Sequence, residues 1–334
     1  MDDAARGQVG TDRDHRHGYD VAVVGGGPAG CSAGVFTARY GLDTVVLDRG
    51  RSSIRRCAHL ENYLGFPGGI GVETLYGLMH DHAEAAGCEL RDDLVESVDR
   101  FEDVRRTASA EPAGASSSGD GDGFVVTPQE GEPITARRVV AATRYGGEYL
   151  RGLDDETAMF ETNEHDGETH EHLDTGYAGS EGGTPVEGLF VASPAEFDHQ
   201  AIVAAGRGAR VGVAVVEAVR RERGYPELLV DYYDWVRREA ELDGEWADRD
   251  RWRQWFDERL PDDHDLDGER LVELREREVD RRLDSYLLGG EIDRRAERGH
   301  DRLLEHVDDE RILAAAREIE AGRQAASPDG GDRP

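Results

Sequence analysis

Residues 19–48, YDVAVVGGGPAGCSAGVFTARYGLDTVVLD, carry the clearest structural pattern in the chain. An apolar run, Asp20 to Val24, leads into a glycine-rich turn over residues 25–30. An amphipathic segment to Tyr40 follows, and then a second apolar run, Thr44 to Leu47, which ends at an acid, Asp48. The pattern predicts a strand, a tight turn, a helix and a second strand within about thirty residues.

The turn has the spacing of a dinucleotide-binding fingerprint. Gly25 permits the tight turn, Gly27 lets the backbone approach a pyrophosphate, and Gly30 lets the helix pack close to the strand. The helix N-terminus would offer free N–H groups to phosphates. Asp48 is placed to accept hydrogen bonds from a ribose diol. The alternative interpretation is a glycine-rich turn in an unrelated α/β protein.

The 334 residues suggest one large domain or two modest ones. The formal net charge is −32, and all 40 basic residues are arginine. Such an acidic surface would repel nucleic acid and anionic membranes, which argues against both as partners. The composition resembles that of cytoplasmic proteins of halophilic archaea, so we interpret the charge as an adaptation to high salt.

The chain contains no apolar run long enough for a transmembrane helix. Residues 1–18 are polar and acidic, unlike a signal peptide, and are expected to form a disordered leader; residues 326–334 are expected to be a disordered tail. The three cysteines, Cys31, Cys57 and Cys88, form no Cys-x-x-Cys and no zinc pattern. We expect reduced thiols and a cytoplasmic location.

Hydrophobic periodicity predicts the remaining elements of the first two thirds of the chain. They are a helix over Val72 to Ala86, a strand over Cys88 to Val98, two strands over Phe124 to Thr127 and Ile134 to Ala142, a strand over Gly188 to Ala192, and a helix from His199 to about Arg221. The last helix carries Gly206, Gly208 and Gly212, which predicts tight packing against a neighbour. Residues 225–325 are charged and strongly helical in pattern.

With these segments laid out, the chain resembles the flavoprotein disulfide-reductase superfamily, in its thioredoxin-reductase-like branch. Three parts match in the same order. They are the fingerprint with Asp48, the segment HLENYLGFPGGIGVETLYGLMHDHAEAAGCEL (residues 59–90), and the closing segment TPVEGLFVASPAEFDHQAIVAAGRGARV (residues 184–211). The matching parts lie within residues 19–100 and 184–224.

The resemblance implies an FAD-binding, Rossmann-like three-layer α/β domain over residues 19–224, with a parallel central sheet and an α-helical extension over 225–325. FAD is the implied cofactor. Its contacts would come from the pyrophosphate turn, the ribose acid and residues near the flavin: Gly25, Gly27, Pro28, Ala29, Gly30, Asp48, Asn62, Thr143, Arg144, His199, Gln200 and Ala201. The helix after Gln200 would direct its positive end at the flavin.

The sequence also departs from the family pattern. Only about forty residues separate the strand at Val139 from Thr184, and a βαβ unit alone takes about 30 or more. We therefore expect the NADPH domain to be absent, together with its redox Cys-x-x-Cys. Ala-Thr-Arg (142–144) replaces Ala-Thr-Gly, and Ser-Pro (193–194) replaces Gly-Asp. Arg144 would then face a phosphate, and Asp198 would replace the missing acid.

Two functions follow from these observations. The first is an FAD-dependent oxidoreductase without an NADPH domain, served by an unidentified small-molecule or protein redox partner, with a homodimer as a further expectation. The second is a non-catalytic flavin- or nucleotide-binding or interaction protein with a degenerate FAD site.

Three further groups of residues are candidates for a functional or structural role. Cys57 is flanked by arginines, which lower a thiol pKa, so it is a candidate redox thiol, although an inert cysteine is favoured. His165, His170 and His172, with Glu168 and Asp174, could hold a metal, but a solvated loop is favoured and no metal is expected. The tryptophans of the extension, such as Trp252 and Trp255, are expected in a core or interface.

Overall fold

A computed structural model describes residues 18–102, 123–165, 168–196 and 199–326. The predicted tail beyond residue 326 and all but the last residue of the predicted leader lie outside the described residues. The strands are β1 (Tyr19–Val24), β2 (Thr44–Leu47), β3 (His59–Leu60), β4 (Ile70–Gly71), β5 (Glu89–Arg91), β6 (Val95–Arg100), β7 (Phe124–Pro128), β8 (Ile134–Ala142), β9 (Phe160–His165), β10 (Glu168–Leu173), β11 (Leu189–Ser193), β12 (Arg237–Arg238) and β13 (Tyr286–Leu287). The helices are α1 (Pro28–Arg39), α2 (Val72–Ala86), α3 (Glu156–Met159), α4 (Ala201–Glu222), α5 (Arg249–Asp257), α6 (Gly268–Leu283), α7 (Gly289–Leu304) and α8 (Asp309–Ala326).

The central sheet has seven strands in the order β5-β2-β1-β8-β7-β6, with β11 also paired to β8. Strands β5, β2, β1, β8 and β11 are parallel, whereas β7 and β6 are antiparallel to their neighbours. The first half of β8 pairs with β7 and its second half pairs with β11. The predicted fold class, α/β with a mostly parallel Rossmann-like sheet, is confirmed.

Alternate residues of the parallel strands face two different layers. Val21, Val23 and Val140 pack against the helices α1, α2 and α4. Ala22, Leu47 and their neighbours on the opposite face pack against β6, β7 and the β9–β10 hairpin. The result is three layers: helices, sheet, and a smaller layer of β structure.

The strand predicted over Cys88 to Val98 is wrong as a single element. It is two strands, and the residues between them turn the chain from a parallel pairing of β5 with β2 to an antiparallel pairing of β6 with β7. Alternation of apolar and charged residues continues through both strands, so the periodicity alone did not show the break.

The glycines of α4 allow it to pack closely on α1, as predicted. A Cβ on Gly208 would lie 1.9 Å from the Ala29 carbonyl oxygen, and a Cβ on Gly212 would lie 2.8 Å from the Ala33 carbonyl oxygen. Gly206 is not part of this contact, because no atom lies within 4 Å of its ideal Cβ position. The helix begins at Ala201, two residues later than predicted, with Gln200 as its N-cap.

The chain between β8 and β11 forms a 3₁₀ turn at Glu148–Leu150, then α3, then the antiparallel hairpin of β9 and β10. Phe160 and Leu173 of the hairpin pack into the core on the β-layer side of the sheet. This segment therefore contributes to the same core as the parallel strands.

The C-terminal helices are attached to the far ends of α1 and α4. Tyr40 at the end of α1 stacks edge-to-face on Tyr232, with ring centroids 4.9 Å apart, and Arg39 forms an ion pair with Asp234. A small core of Tyr225, Val230 and Phe256, together with other apolar residues, holds α5 and α6 in place. No residue of α7 is buried, and α7 and α8 carry exposed apolar residues such as Leu303 and Ile319.

Candidate functional site

The glycine-rich turn joins β1 to α1 with very close backbone contacts. Gly25 has φ +110°, which a side chain would strain, and its N–H donates to the Leu47 carbonyl at 2.8 Å. A Cβ on Gly30 would lie 1.7 Å from the Gly25 carbonyl oxygen. Only glycine fits at these two positions, so both glycines are required for the turn itself.

The N-terminus of α1 is open in its hydrogen bonding, because no side chain caps it. Gly27 is the N-cap residue and supplies no side-chain cap, and Pro28 occupies the first turn with Ala29. Since a helix N-terminus carries unpaired N–H groups and a positive dipole end, this position can bind an anion such as a pyrophosphate. Gly27 has an ordinary φ of −79°, which any residue can adopt. The absence of a side chain here therefore leaves space for a ligand and does not relieve backbone strain.

Asp48 follows β2 at the same edge of the sheet and is 8% exposed. Its Oδ2 accepts a hydrogen bond from the Tyr76 hydroxyl and lies 3.4 Å from Nε2 of His80. The same His80 nitrogen lies 3.1 Å from the Gly26 carbonyl oxygen. The predicted ribose acid is therefore tied to α2 through two side chains.

These contacts shift the pKa values of all three groups. Burial raises the pKa of Asp48, but hydrogen bonds from His80 and Tyr76 outweigh it, and the pKa is lowered overall. The hydrogen bond to Asp48 raises the pKa of His80. Burial and the same carboxylate raise the pKa of Tyr76, whose ring also lies under the guanidinium of Arg55 at 4.2 Å.

The residues predicted near the flavin come together in two pairs from distant parts of the chain. Nδ2 of Asn62 donates to Oε1 of Gln200 at 2.8 Å. Nη2 of Arg144 lies 3.2 Å from Nδ1 of His199. Gln200 is the N-cap of α4 and Ala201 is its first residue, so both pairs lie at the N-terminal end of that helix.

The two altered motifs, residues 142–144 and 193–194, lie at the ends of β8 and β11. The Thr143 hydroxyl donates to the Gly146 carbonyl at 3.1 Å and lies 3.0 Å from the Tyr149 hydroxyl. Ser193 is buried at the end of β11 and precedes a cis peptide bond to Pro194. Asp198, the predicted replacement acid, lies outside the described residues.

The cysteines differ sharply in environment. Cys31 is buried, and its thiol donates to the Gly26 carbonyl at 3.2 Å. Burial raises the pKa of Cys88 to about 12. Cys57 is exposed at the end of the 3₁₀ turn Ser53–Arg56, and its role as a redox thiol stays a prediction.

The histidine-rich segment forms the β9–β10 hairpin. Nε2 of His172 lies 3.0 Å from Oε1 of Glu161. Within the described ranges, no group of three histidine, cysteine or acidic side chains is arranged to hold a metal ion. The side chains of His165 and Glu168 lie outside the described set.

Tyr76 and His80 are the site residues that the sequence interpretation missed. They are spaced i and i+4 on α2, which places both on one face of the helix. That spacing within a predicted helix was a usable signal. Their contact with Asp48, 28 and 32 residues earlier in the chain, was not visible in the pattern.

Comparison with known proteins supports the nucleotide-binding segment. Residues 18–58 match a family described as "FAD binding domain". The prediction of FAD as the cofactor is confirmed by this match, which covers β1, the glycine turn, α1, β2 and Asp48.

Several curated proteins are similar to parts of the chain. Thioredoxin reductase of Aquifex aeolicus is 34% identical over 90 residues, and that of Bacillus subtilis is 38% identical over 84 residues. The bifunctional thioredoxin reductase/thioredoxin of Mycobacterium leprae is 32% identical over 149 residues, 42% of this chain. The first two matches cover 26% and 24% of this chain.

The chain spans 28%, 26% and 32% of these three relatives' own lengths. Among solved structures, a thioredoxin reductase from Gloeobacter violaceus aligns with 65% of this chain and 97% of its own, at 20% identity and a TM-score of 0.44. Among the residues described, no helix is long and apolar enough to cross a bilayer. The comparisons establish a chain with an FAD-binding segment that resembles thioredoxin reductases over part of its length.

Proposed function

We propose that this protein is an FAD-dependent oxidoreductase that takes electrons from an external donor. The observation that carries the proposal is the β1–turn–α1–β2 unit, in which the open N-terminus of α1 and Asp48 lie where a pyrophosphate and a ribose would bind. The match of residues 18–58 to an FAD-binding family names the dinucleotide.

The residues present fit FAD. The backbone N–H groups after Gly27 would bind the pyrophosphate, and Asp48 would accept hydrogen bonds from the adenosine ribose. Asn62 and Gln200 would orient the flavin end at the N-terminus of α4, whose dipole favours negative charge there. Bound FAD would supply reversible two-electron redox chemistry.

The segment between β8 and β11 bears on how the flavin would be reduced. That segment holds a 3₁₀ turn, a four-residue helix and a hairpin, and the three cysteines are separated along the chain. We infer that this chain lacks the family's inserted NADPH domain and redox disulfide, and so does not reduce thioredoxin by the family's route. A diffusible nicotinamide or a partner protein would reduce the flavin.

The test begins with the visible absorption spectrum of protein purified in high salt, followed by titration with FAD. Oxidised-flavin bands that bleach on addition of NADH, NADPH or a dithiol support the oxidoreductase. Bands that no donor bleaches would favour the second function, a non-catalytic flavin-binding protein. A protein that binds no FAD would contradict both.

A variant sharpens this test. Gly27→Val has an allowed backbone conformation but places a side chain at the N-terminus of α1, with its Cβ 2.7 Å from the Ser52 hydroxyl. We expect FAD affinity to fall about 100-fold, equal to about 2.8 kcal/mol. Gly268→Ala is the control, because nothing lies within 4 Å of its Cβ position and it should leave FAD binding unchanged.

A further inference from the structure

A cavity of about 410 Å³ lies in the C-terminal region, among α5, α6 and the segment that follows α4. Its wall includes the tryptophans Trp235, Trp252 and Trp255 and the arginines Arg237, Arg259 and Arg282. Its volume is within the range of about 300–1,000 Å³ that is typical of small-molecule sites. None of these residues belongs to the FAD-binding segment.

The cavity is far from the FAD segment. Helices α1 and α4 run side by side in the same direction, since Ala29 meets Gly208 and Ala33 meets Gly212. The flavin residues lie at the start of α4, whereas Leu229 in the cavity wall accepts a hydrogen bond from Arg220 near its end. A helix of this length is about 33 Å long. A ligand in the cavity would therefore not contact the residues proposed to hold FAD.

The charge of the cavity is opposite to that of the molecule. Arg237, Arg259, Arg281 and Arg282 line it, and Asp231 is the carboxylate among the described lining residues. Arg237 approaches the Tyr286 hydroxyl at 3.5 Å, and Arg259 donates to the Trp255 carbonyl at 3.1 Å. Neither has a carboxylate within salt-bridge distance in the described part of the chain, although the protein carries 72 acidic residues.

The positive charge extends behind the cavity wall. Glu278, 1% exposed, is shared by the guanidinium groups of Arg220, Arg281 and Arg282. Burial alone would raise the pKa of Glu278, but these three cations lower it to about 2. One carboxylate thus faces three buried or half-buried cations. This buried cluster therefore leaves net positive charge next to the cavity wall.

Planar groups line the same space. The Arg282 guanidinium lies 3.9 Å from the Trp255 ring centroid, Arg259 lies 4.3 Å from the same centroid, and Arg237 lies 5.0 Å from that of Trp235. Trp235 is 60% exposed although it is a large aromatic residue. Guanidinium groups and indole rings both stack on planar aromatic ligands, and guanidinium groups also bind carboxylates and phosphates in the ring plane.

We propose that this cavity binds a small aromatic anion, a ring that bears a carboxylate or a phosphate, up to about the size of a mononucleotide. The arginines would bind the anionic group, and the exposed Trp235 would stack on the ring. This site is independent of the proposed oxidoreductase function, because it shares no residue with the FAD segment.

The test uses the full-length protein in high-salt buffer and its intrinsic tryptophan fluorescence. Three of the four tryptophans line the cavity, and the fourth, Trp246, lies 4.7 Å from the Trp252 ring, so the signal reports on this site. The probes are adenosine 5′-monophosphate, benzoate, adenosine and inorganic phosphate. We expect saturable quenching by the first two, and binding at least about tenfold weaker for the last two.

Variants separate the cavity from the FAD segment. Arg237→Gln and Arg259→Gln should each weaken binding of the aromatic anions about tenfold. Arg317→Gln, an exposed arginine of α8 outside the cavity wall, removes the same charge and should not. Gly27→Val should also leave the quenching intact, even where it abolishes FAD binding.

The outcomes are decisive for the cavity. Quenching by benzoate alone identifies a carboxylate ligand, and quenching by the nucleotide alone identifies a phosphate ligand; both support the site. The proposal is overturned if neither benzoate nor the nucleotide gives saturable quenching. The proposal is also overturned if inorganic phosphate binds as tightly as the aromatic anions. Unchanged affinity for the aromatic anions in Arg237→Gln and Arg259→Gln would overturn it too, and so would a loss of quenching found only in Gly27→Val.

Discussion

At the scale of single residues, Asp48 illustrates how a motif acid acquires its environment. The fingerprint predicts an acid that accepts hydrogen bonds from a ribose. In the structure this carboxylate already accepts one from Tyr76 and lies beside His80, so a ribose would join or replace these donors. Helix α2 therefore belongs to the nucleotide-binding region as much as the glycine turn does.

The His80–Asp48 pair predicts a pH dependence of stability. Because the pKa of His80 is raised in the folded protein, the native state favours the protonated ring. Its stabilising contribution, about 0.5–1.5 kcal/mol, is fully present below about pH 6.5 and is lost as pH rises through the raised pKa. Thermal unfolding of His80→Gln in FAD-free protein should lack this decline.

The control for this prediction is His300→Ala on α7, an exposed position, which should retain the wild-type profile. The pair would be shown not to contribute if wild type and His80→Gln had parallel stability curves from about pH 4.5 to about pH 8.5, two units either side of the unfolded histidine pKa. The pKa of Asp48 is lowered in the folded protein, so this carboxylate has the opposite pH dependence. Its contribution to stability is lost as pH falls into the acid range.

At the scale of elements, the contact of α1 with α4 positions both ends of the cofactor site. The open N-terminus of α1 and the N-terminus of α4 lie on the same side because the two helices run parallel with backbones almost touching. The sequence predicted close packing for the glycine-rich helix. The partner was identified only by the structure.

Two neighbouring glycines of α4 give a matched test of that contact. Gly208→Ala should destabilise the protein by at least about 1–3 kcal/mol, because its Cβ would overlap the Ala29 carbonyl and force the helices apart. Gly206→Ala, one half-turn away and exposed, should stabilise by about 0.5–1 kcal/mol through helix propensity alone. Denaturant unfolding measures both.

Equal effects of these two substitutions would show that the α1–α4 backbone contact does not limit stability. Both variants replace glycine by alanine in the same helix, so the gain in helix propensity is the same. The difference in their stabilities therefore measures the effect of packing against α1. A loss confined to Gly208→Ala assigns the cost to the interface.

At the scale of the whole molecule, the net charge of −32 dominates behaviour in solution. Like charges at this density repel one another and oppose the compact state, and salt screens that repulsion. Ion pairs with arginine offset this repulsion locally. Arg249 and Arg253, for example, both bind Glu276 between α5 and α6. We propose that the protein works in a salt-rich cytoplasm.

This proposal predicts that stability rises with salt. The thermal midpoint followed by circular dichroism should increase steadily as KCl is raised from about 0.1 M to the molar range, where the screening length falls from about 10 Å to about 3 Å. A sucrose series serves as control, because sucrose is excluded from the protein surface but does not screen charge. A midpoint that is flat or falls with KCl would contradict the proposal.

Much of the parallel core and the position of the nucleotide segment could be predicted from the sequence, because both are local in origin. The fingerprint lies within residues 19–48, and apolar runs identify the buried parallel strands wherever they pair. The break between β5 and β6 was missed, since a change of pairing partner leaves the alternation of side chains intact.

The glycine turn, its acid and the extreme charge could be predicted from the sequence, since backbone sterics, spacing and composition are properties of consecutive residues. The three-dimensional fold was needed to show which distant side chains meet: Tyr76 and His80 at Asp48, Asn62 at Gln200, and the residues of the arginine-lined cavity beyond the end of α4. These contacts depend on how helices and strands pack in three dimensions, and no periodicity along the chain specifies which residues that packing brings together.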